Sequence, residues 1–154
     1  MNIFKKTILI SAAILLSACS STQVNLAVTA TDNLNLNQFD EALPVVLRIY
    51  QLSDIQSFKD ASFKELWKND KSVLGNSLIT VEERTVNPAD KLKINFEQAE
   101  NAKYVAVFAL FRDRKSSKWR VYHELDSGTM QLSTSLDIML TSNAVTFPNE
   151  KEKS

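Results

Sequence analysis

The stretch Tyr104–Phe111, YVAVFALF, carries no charge and is apolar at odd and even positions alike. A strand with one face in water alternates, whereas a strand covered on both faces reads as a continuous apolar run. Tyr104–Phe111 is therefore the centre of a sheet, and its neighbours should be half-buried strands.

Working outward, they are. QVNLAVTA sets Val24, Leu26, Val28 and Ala30 on one side, with Gln23, Asn25 and Thr29 on the other. PVVLRIYQL turns Val45, Leu47 and Ile49 inward and Arg48 and Tyr50 outward. LITVEERTV and KLKINF are separated by Asn87-Pro88-Ala89-Asp90, a turn in which proline presets its own φ. In KLKINF, Leu92, Ile94 and Phe96 oppose Lys93 and Asn95. Beyond the polar connector DRKSSK, KWRVYHEL alternates Trp119, Val121 and Leu125 with Arg120, Tyr122 and Glu124. SLDIMLTS gathers Leu136, Ile138 and Leu140 on one side. About seven short strands of this kind predict a mainly β fold, an antiparallel β-sandwich.

One segment breaks the period. SDIQSFKDASFKELWKND contains Ser53 with Gln56 and Ser62 with Glu65, two capping-box spacings that predict one or two short helical additions. Phe58, Ala61, Leu66 and Trp67 fall on a common helical face, opposite Lys59, Lys64 and Lys68. The expected place of this segment is one end or edge of the sheets. Leu74-Gly75-Asn76 then turns the chain into the next strand.

The amino end has a different grammar. Lys5 and Lys6 precede the apolar run TILISAAILL and the tetrad Leu16-Ser17-Ala18-Cys19. This is the plan of a secretory leader. Ten apolar residues make about 15 Å of helix, half the hydrocarbon thickness, too little for a permanent span. The sole cysteine, Cys19, can form no internal disulfide and cannot by itself hold zinc. The expected organisation is a cleaved leader at 1–18, a tether at 19–22, a sandwich at 23–147 and a loose charged tail at 148–154.

Composition removes several function classes. The whole chain has 18 basic and 18 acidic residues, and loss of Lys5 and Lys6 leaves a net charge of −2, with no basic stripe for nucleic acid. Gly75 and Gly128 are the only glycines, so no glycine-rich phosphate loop exists. His123 is the single histidine, and a triad or metal cluster needs partners for it. Glu82 and Glu83 are adjacent on a strand and point to opposite faces. The Asn33, Asn35, Asn37 spacing misses the EF-hand pattern, with Gln38 at the glycine position and Pro44 at the bidentate glutamate position. The expectation is no catalytic residue, no metal and no cofactor.

The remaining candidate is the loop TDNLNLNQFDEAL, Thr31–Leu43. Three acids (Asp32, Asp40, Glu41) surround Leu34, Leu36 and Phe39, and no lysine or arginine occurs from Thr7 to Leu47. Apolar anchors with a charged rim suit protein docking. A competing reading continues the first strand in register, which would put Leu34 and Leu36 in the core.

The ordered set of motifs resembles a known family. The tetrad Leu16–Cys19 resembles a lipobox, in which the Ala18–Cys19 bond is cut and Cys19 receives a diacylglyceryl group and N-acylation. Ser20 at the following position is similar to the residue that permits export to the outer membrane. Arg48, Tyr50, Gln51 and Leu52, then Phe58, Ala61, Phe63 and Leu66, Leu74-Gly75, Pro88, and Phe111-Arg112-Asp113 with Trp119-Arg120 together resemble the TssJ family. These are outer-membrane lipoproteins of the bacterial type VI secretion system. The resemblance implies a transthyretin-like sandwich, lipid anchoring through Cys19, and binding to the periplasmic C-terminal region of TssM. It implies a protein that is monomeric alone and present in several copies in the assembled complex. It maps the partner-binding loop onto Asp32, Asn33, Leu34, Asn35, Leu36, Asn37, Gln38, Phe39, Asp40 and Glu41. The alternative from a different class is a lipid-anchored small-ligand carrier, which would need a lined cavity.

Overall fold

The computed structural model describes residues 21–113, 118–126 and 132–149. Ala18, Cys19, the leader and residues 150–154 of the expected tail lie outside them. Among the described residues, eight strands and two helices follow in order: β1 (Gln23–Ala30), β2 (Val45–Leu52), α1 (Gln56–Asp60), α2 (Phe63–Leu74), a 3-10 turn (Gly75–Ser77), β3 (Leu78–Val86), β4 (Lys91–Glu97), β5 (Tyr104–Ala109), β6 (Arg120–Glu124), β7 (Thr134–Leu140) and β8 (Val145–Thr146). The sheets have strand orders β4-β1-β7-β8 and β3-β2-β5-β6. Neighbouring strands run antiparallel except β1 and β7, which are parallel. The run expected to continue to Phe111 ends as a strand at Ala109. The two-residue β8 is too short to leave a pattern in sequence.

The alternating residues meet between the sheets. Val24, Leu26, Val28 and Ala30 of β1 and Leu136, Ile138 and Leu140 of β7 pack with Val45, Leu47, Ile49, Val105, Val107 and Ala109 of the facing sheet. Full burial of each Val, Leu or Ile side chain among them contributes about 1.5–3 kcal/mol. β3 lies at the open edge of its sheet, and its residues opposite Ile49 and Leu47 are Glu82 and Arg84. The two form an ion pair, and charges turned toward the inside of an edge strand deter pairing with another chain.

β5 is apolar on both faces because the protein has a third layer. Ala106 and Phe108 face away from the sandwich, where they join Tyr50, Leu52, Phe58, Ala61, Leu66 and Leu74 in a second core. The helices thus cover the outer face of the β3-β2-β5-β6 sheet, not an end or edge as the sequence reading expects. The physical reason is that Tyr50, Leu52 and Phe108 cannot be left in water. Tyr50 points outward as expected, yet it is fully buried.

The two capping boxes part ways. α2 has one, with the Ser62 hydroxyl accepting from the Glu65 N–H and Glu65 Oε2 accepting from the Ser62 N–H at 2.8 Å. The Ser53–Gln56 box does not form: α1 starts after Ile55 without a side-chain cap, and the Gln56 N–H donates to Asp54 Oδ1 at 2.8 Å. Phe58, Ala61 and Leu66 share the buried face, but Trp67 is 45% exposed. α2 is interrupted at Asn69, whose φ is −142°. There Arg48 Nη1 donates to the carbonyls of Leu66 (2.9 Å) and Trp67 (3.0 Å), and Asp70 Oδ2 accepts from the Tyr50 hydroxyl at 3.0 Å. Burial opposes the Arg48 charge, but Glu83, Tyr50 and Asp70 around it hold the guanidinium above its ordinary value. Burial first, and Asp70 second, push the Tyr50 phenol well above the usual range. Arg120 holds the end of α1, donating to the carbonyls of Phe58, Lys59 and Ala61 at 2.6 Å each.

Candidate functional site

The loop between β1 and β2 is built from amides. The strand stops at Ala30, and Thr31 N–H still bonds the Leu140 carbonyl at 2.9 Å. The chain then turns: Leu34 N–H donates to the Thr31 carbonyl at 3.2 Å, and the Thr31 hydroxyl donates to Asn33 Oδ1 at 2.6 Å. Leu34 is buried in the main core at 0% exposure. Both competing readings therefore fail in part, because β1 does not run on, yet Leu34 reaches the core through a turn.

Asn35 clamps the base of the loop. It is 4% exposed; its Nδ2 donates to the Pro44 carbonyl at 2.7 Å, and its Oδ1 accepts from the Arg112 N–H at 2.8 Å. Asn37 shapes the tip. Its Oδ1 accepts from the N–H groups of Phe39 (2.8 Å) and Glu41 (3.0 Å), and its Nδ2 donates to Glu41 Oε2 at 2.7 Å. The loop has no glycine. Its left-handed residues are Asn35 (φ 48°) and Asp40 (φ 59°), types that tolerate this region better than most.

The tip presents Phe39, 71% exposed, with exposed Gln38, Asp40 and Glu41 beside it. Asp32 and Asn33 are exposed at the first turn. Of the ten expected contact residues, Leu34 and Asn35 face inward and hold the loop, while Leu36 and Asn37 are half-buried.

Sequence reasoning missed what surrounds this loop. An open groove is lined by Leu36, Asn37, Gln38, Asp40, Arg112, Asp113, Ser142 and Asn143. The segment after β5 fastens the loops together, because Arg112 N–H holds Asn35 and Asp113 Oδ2 accepts from Asn143 Nδ2 at 3.4 Å. The sequence signal for it is the Phe111-Arg112-Asp113 run, which belongs to the family resemblance.

The loop lies at the end of the sandwich opposite the chain's entry. Thr22 accepts from Gln98 N–H and Gln23 N–H donates to Ser133 Oγ at the start of β1; the loop leaves from its far end. Eight residues of strand separate the two by about 25 Å. Among the described residues no group of three or more His, Cys, Asp or Glu is placed to hold a metal. Among them, too, no helix is long and apolar enough to cross a membrane.

Residues 22–143 match the family described as Type VI secretion lipoprotein, VasD, EvfM, TssJ. Among solved structures, the T6SS lipoprotein TssJ1 from Pseudomonas aeruginosa is 27% identical, with a TM-score of 0.77 over 85% of this chain and 98% of that one. Serratia marcescens Lip, a membrane-bound component of the type VI secretion system, shares the fold at 22% identity, with a TM-score of 0.76 over 82% of this chain and 96% of that one. A chain in the structure named T6SS protein TssM C-terminal domain (869-1107) from EAEC is 25% identical, with a TM-score of 0.71 over 83% of this chain and 98% of that one. No curated protein matches the chain.

Proposed function

The chain belongs to the type VI secretion lipoprotein family that includes VasD, EvfM and TssJ, and from that premise we propose that it anchors the secretion scaffold to the outer membrane. Cys19, acylated after cleavage at Ala18–Cys19, holds the amino end in the inner leaflet; several acyl chains together hold firmly where one would not. The sandwich stands in the periplasm, and the β1–β2 loop binds the periplasmic C-terminal region of TssM. The role is attachment, without catalysis.

The observation that carries this reading is Phe39, an exposed aromatic on a tip fixed by Asn37. A preorganised aromatic anchor loses little freedom on binding. Asp40 and Glu41 beside it orient a basic partner surface. The family relationship supports the same partner. The matched chain in the EAEC structure is about as long as this one, too short to be the 869–1107 span for which that structure is named. The carrier reading has less support, since the cleft between the sheets lined by Ile49, Gln51, Thr80, Val81, Glu82 and Phe96 is open to solvent and does not enclose a ligand.

Leu34 and Asn35 are buried, so the loop cannot be excised whole without damage to the fold. The test is confined to the tip: Phe39→Asp should lower affinity for the TssM C-terminal region at least tenfold, about 1.4 kcal/mol, with unchanged thermal unfolding. Wild-type affinity of that variant would refute the docking role. Cys19→Ser should move the protein from the outer-membrane fraction to the soluble periplasm; retention in the membrane would require a different anchor.

A further inference from the structure

Two features of the loop end are not used by a tip that docks alone: the groove beside it and Arg112. Of the side chains lining the groove, Asn37, Asp113 and Asn143 are engaged in internal hydrogen bonds, and Arg112 is the one cation. Asn37 holds Phe39, Glu41 and its own turn. Asn143 donates to Asp113. Arg112 differs: its backbone N–H is fixed by the buried Asn35, and its exposed side chain makes no hydrogen bond or ion pair with any described residue.

Among the described residues, the cation is therefore held in place at its root and unengaged at its head. Leu36 adds an apolar wall, and half-buried Ser142 in the turn between β7 and β8 also lines the groove. A guanidinium presents a planar fork of donors matched to a carboxylate. Asp40 at the rim and the engaged Asp113 give the flanks the opposite sign.

We propose that the docking surface is a groove between three loops, and that it receives a segment of the TssM partner bearing a carboxylate that Arg112 binds. The groove's sign pattern calls for neutral or basic residues on both sides of that carboxylate. Arg112 sets specificity, and the turn at Ser142 forms another wall of the site. The inference rests on the docking role proposed above and extends it from the Phe39 tip to two further loops.

The test uses the mature lipidated protein in detergent, with the TssM C-terminal region as the binding probe. Arg112→Glu reverses the charge, Arg112→Lys preserves it, and Ser142→Tyr fills the groove without touching the β1–β2 loop. None of the three removes a hydrogen bond that the fold uses, so unfolding midpoints should stay within about 2 °C, roughly 0.5 kcal/mol at this size. Arg112→Glu and Ser142→Tyr should each weaken binding at least tenfold, and Arg112→Lys should stay within about threefold of wild type. If either of the first two binds as wild type while Phe39→Asp does not, the groove is unused and the tip docks alone. If Phe39→Asp also binds as wild type, the docking role itself fails.

Discussion

The helical layer and the β1–β2 loop are both additions to one sandwich, and they are held by opposite means. The layer is held by rings: Phe63, Phe108 and Trp119 meet edge to face at 5.0–5.6 Å, and Phe58 lies 5.9 Å from Tyr50. Its charged contacts, from Arg48 and Arg120, go to helix carbonyls and, for Arg48, also to Asp70 and Glu83. The loop has one apolar plug, Leu34, and otherwise stands on the amides of Asn35 and Asn37. Apolar packing spreads its free energy over many contacts, whereas a polar clamp concentrates it in a few directed bonds. The first arrangement suits bulk stability. The second fixes the shape of an exposed surface that could not be made apolar and remain soluble.

The contrast predicts a graded set of effects. Phe58→Ala should cost about 3–5 kcal/mol, as other buried phenylalanines do, read as a lowered urea midpoint with TssM affinity intact in the folded fraction. A cost under about 1 kcal/mol would mean that the layer is dispensable. Asn35→Ala loses two hydrogen bonds and keeps a left-handed backbone that alanine disfavours. It should cost about 2 kcal/mol, and exchange of the Arg112 amide hydrogen should accelerate well before global unfolding. Exchange that quickens only with global unfolding would show that the loop and core are one cooperative unit.

The smallest effect is a pH dependence of the layer. Hydrogen bonds from the Ser62 hydroxyl and N–H hold the Glu65 carboxyl below its ordinary value. Its folded pKa is the lower one, so its contribution is complete above the ordinary carboxylate value. It disappears as pH falls through the depressed value. Acid titration should therefore loosen the first turn of α2, seen in the amide shifts of Ser62 and Glu65. Glu65→Gln should remove that transition.

The same contrast explains what could be read in the residues. Alternation locates β1, β2, β4, β6 and β7, because Val24-Leu26-Val28 or Leu136-Ile138-Leu140 can bury only one face. The apolar run from Tyr104 required a sheet covered on both sides, yet the cover was misplaced. Arg48 and Tyr50 look like solvent-facing residues until their partners at the Asn69 kink are known. The loop was legible as a candidate from its charge and its exposed phenylalanine. Its construction was not, since amide clamps have no period and Asn35 meets Arg112 across 77 residues of sequence. Glu82 and Arg84 on the inner side of β3 break the alternation for a reason that lies outside the core, the protection of an edge.

β1 is an inner strand, with β4 on one side and β7 on the other. Its first residue would adjoin the proposed tether, and its last opens into the loop. Tension between membrane and scaffold would thus run lengthwise through this one segment. The bonds to both neighbours lie across that direction, so they would resist sliding together and would not peel apart in turn. Under the proposed attachment, a strand paired on both sides lies on the line of mechanical load.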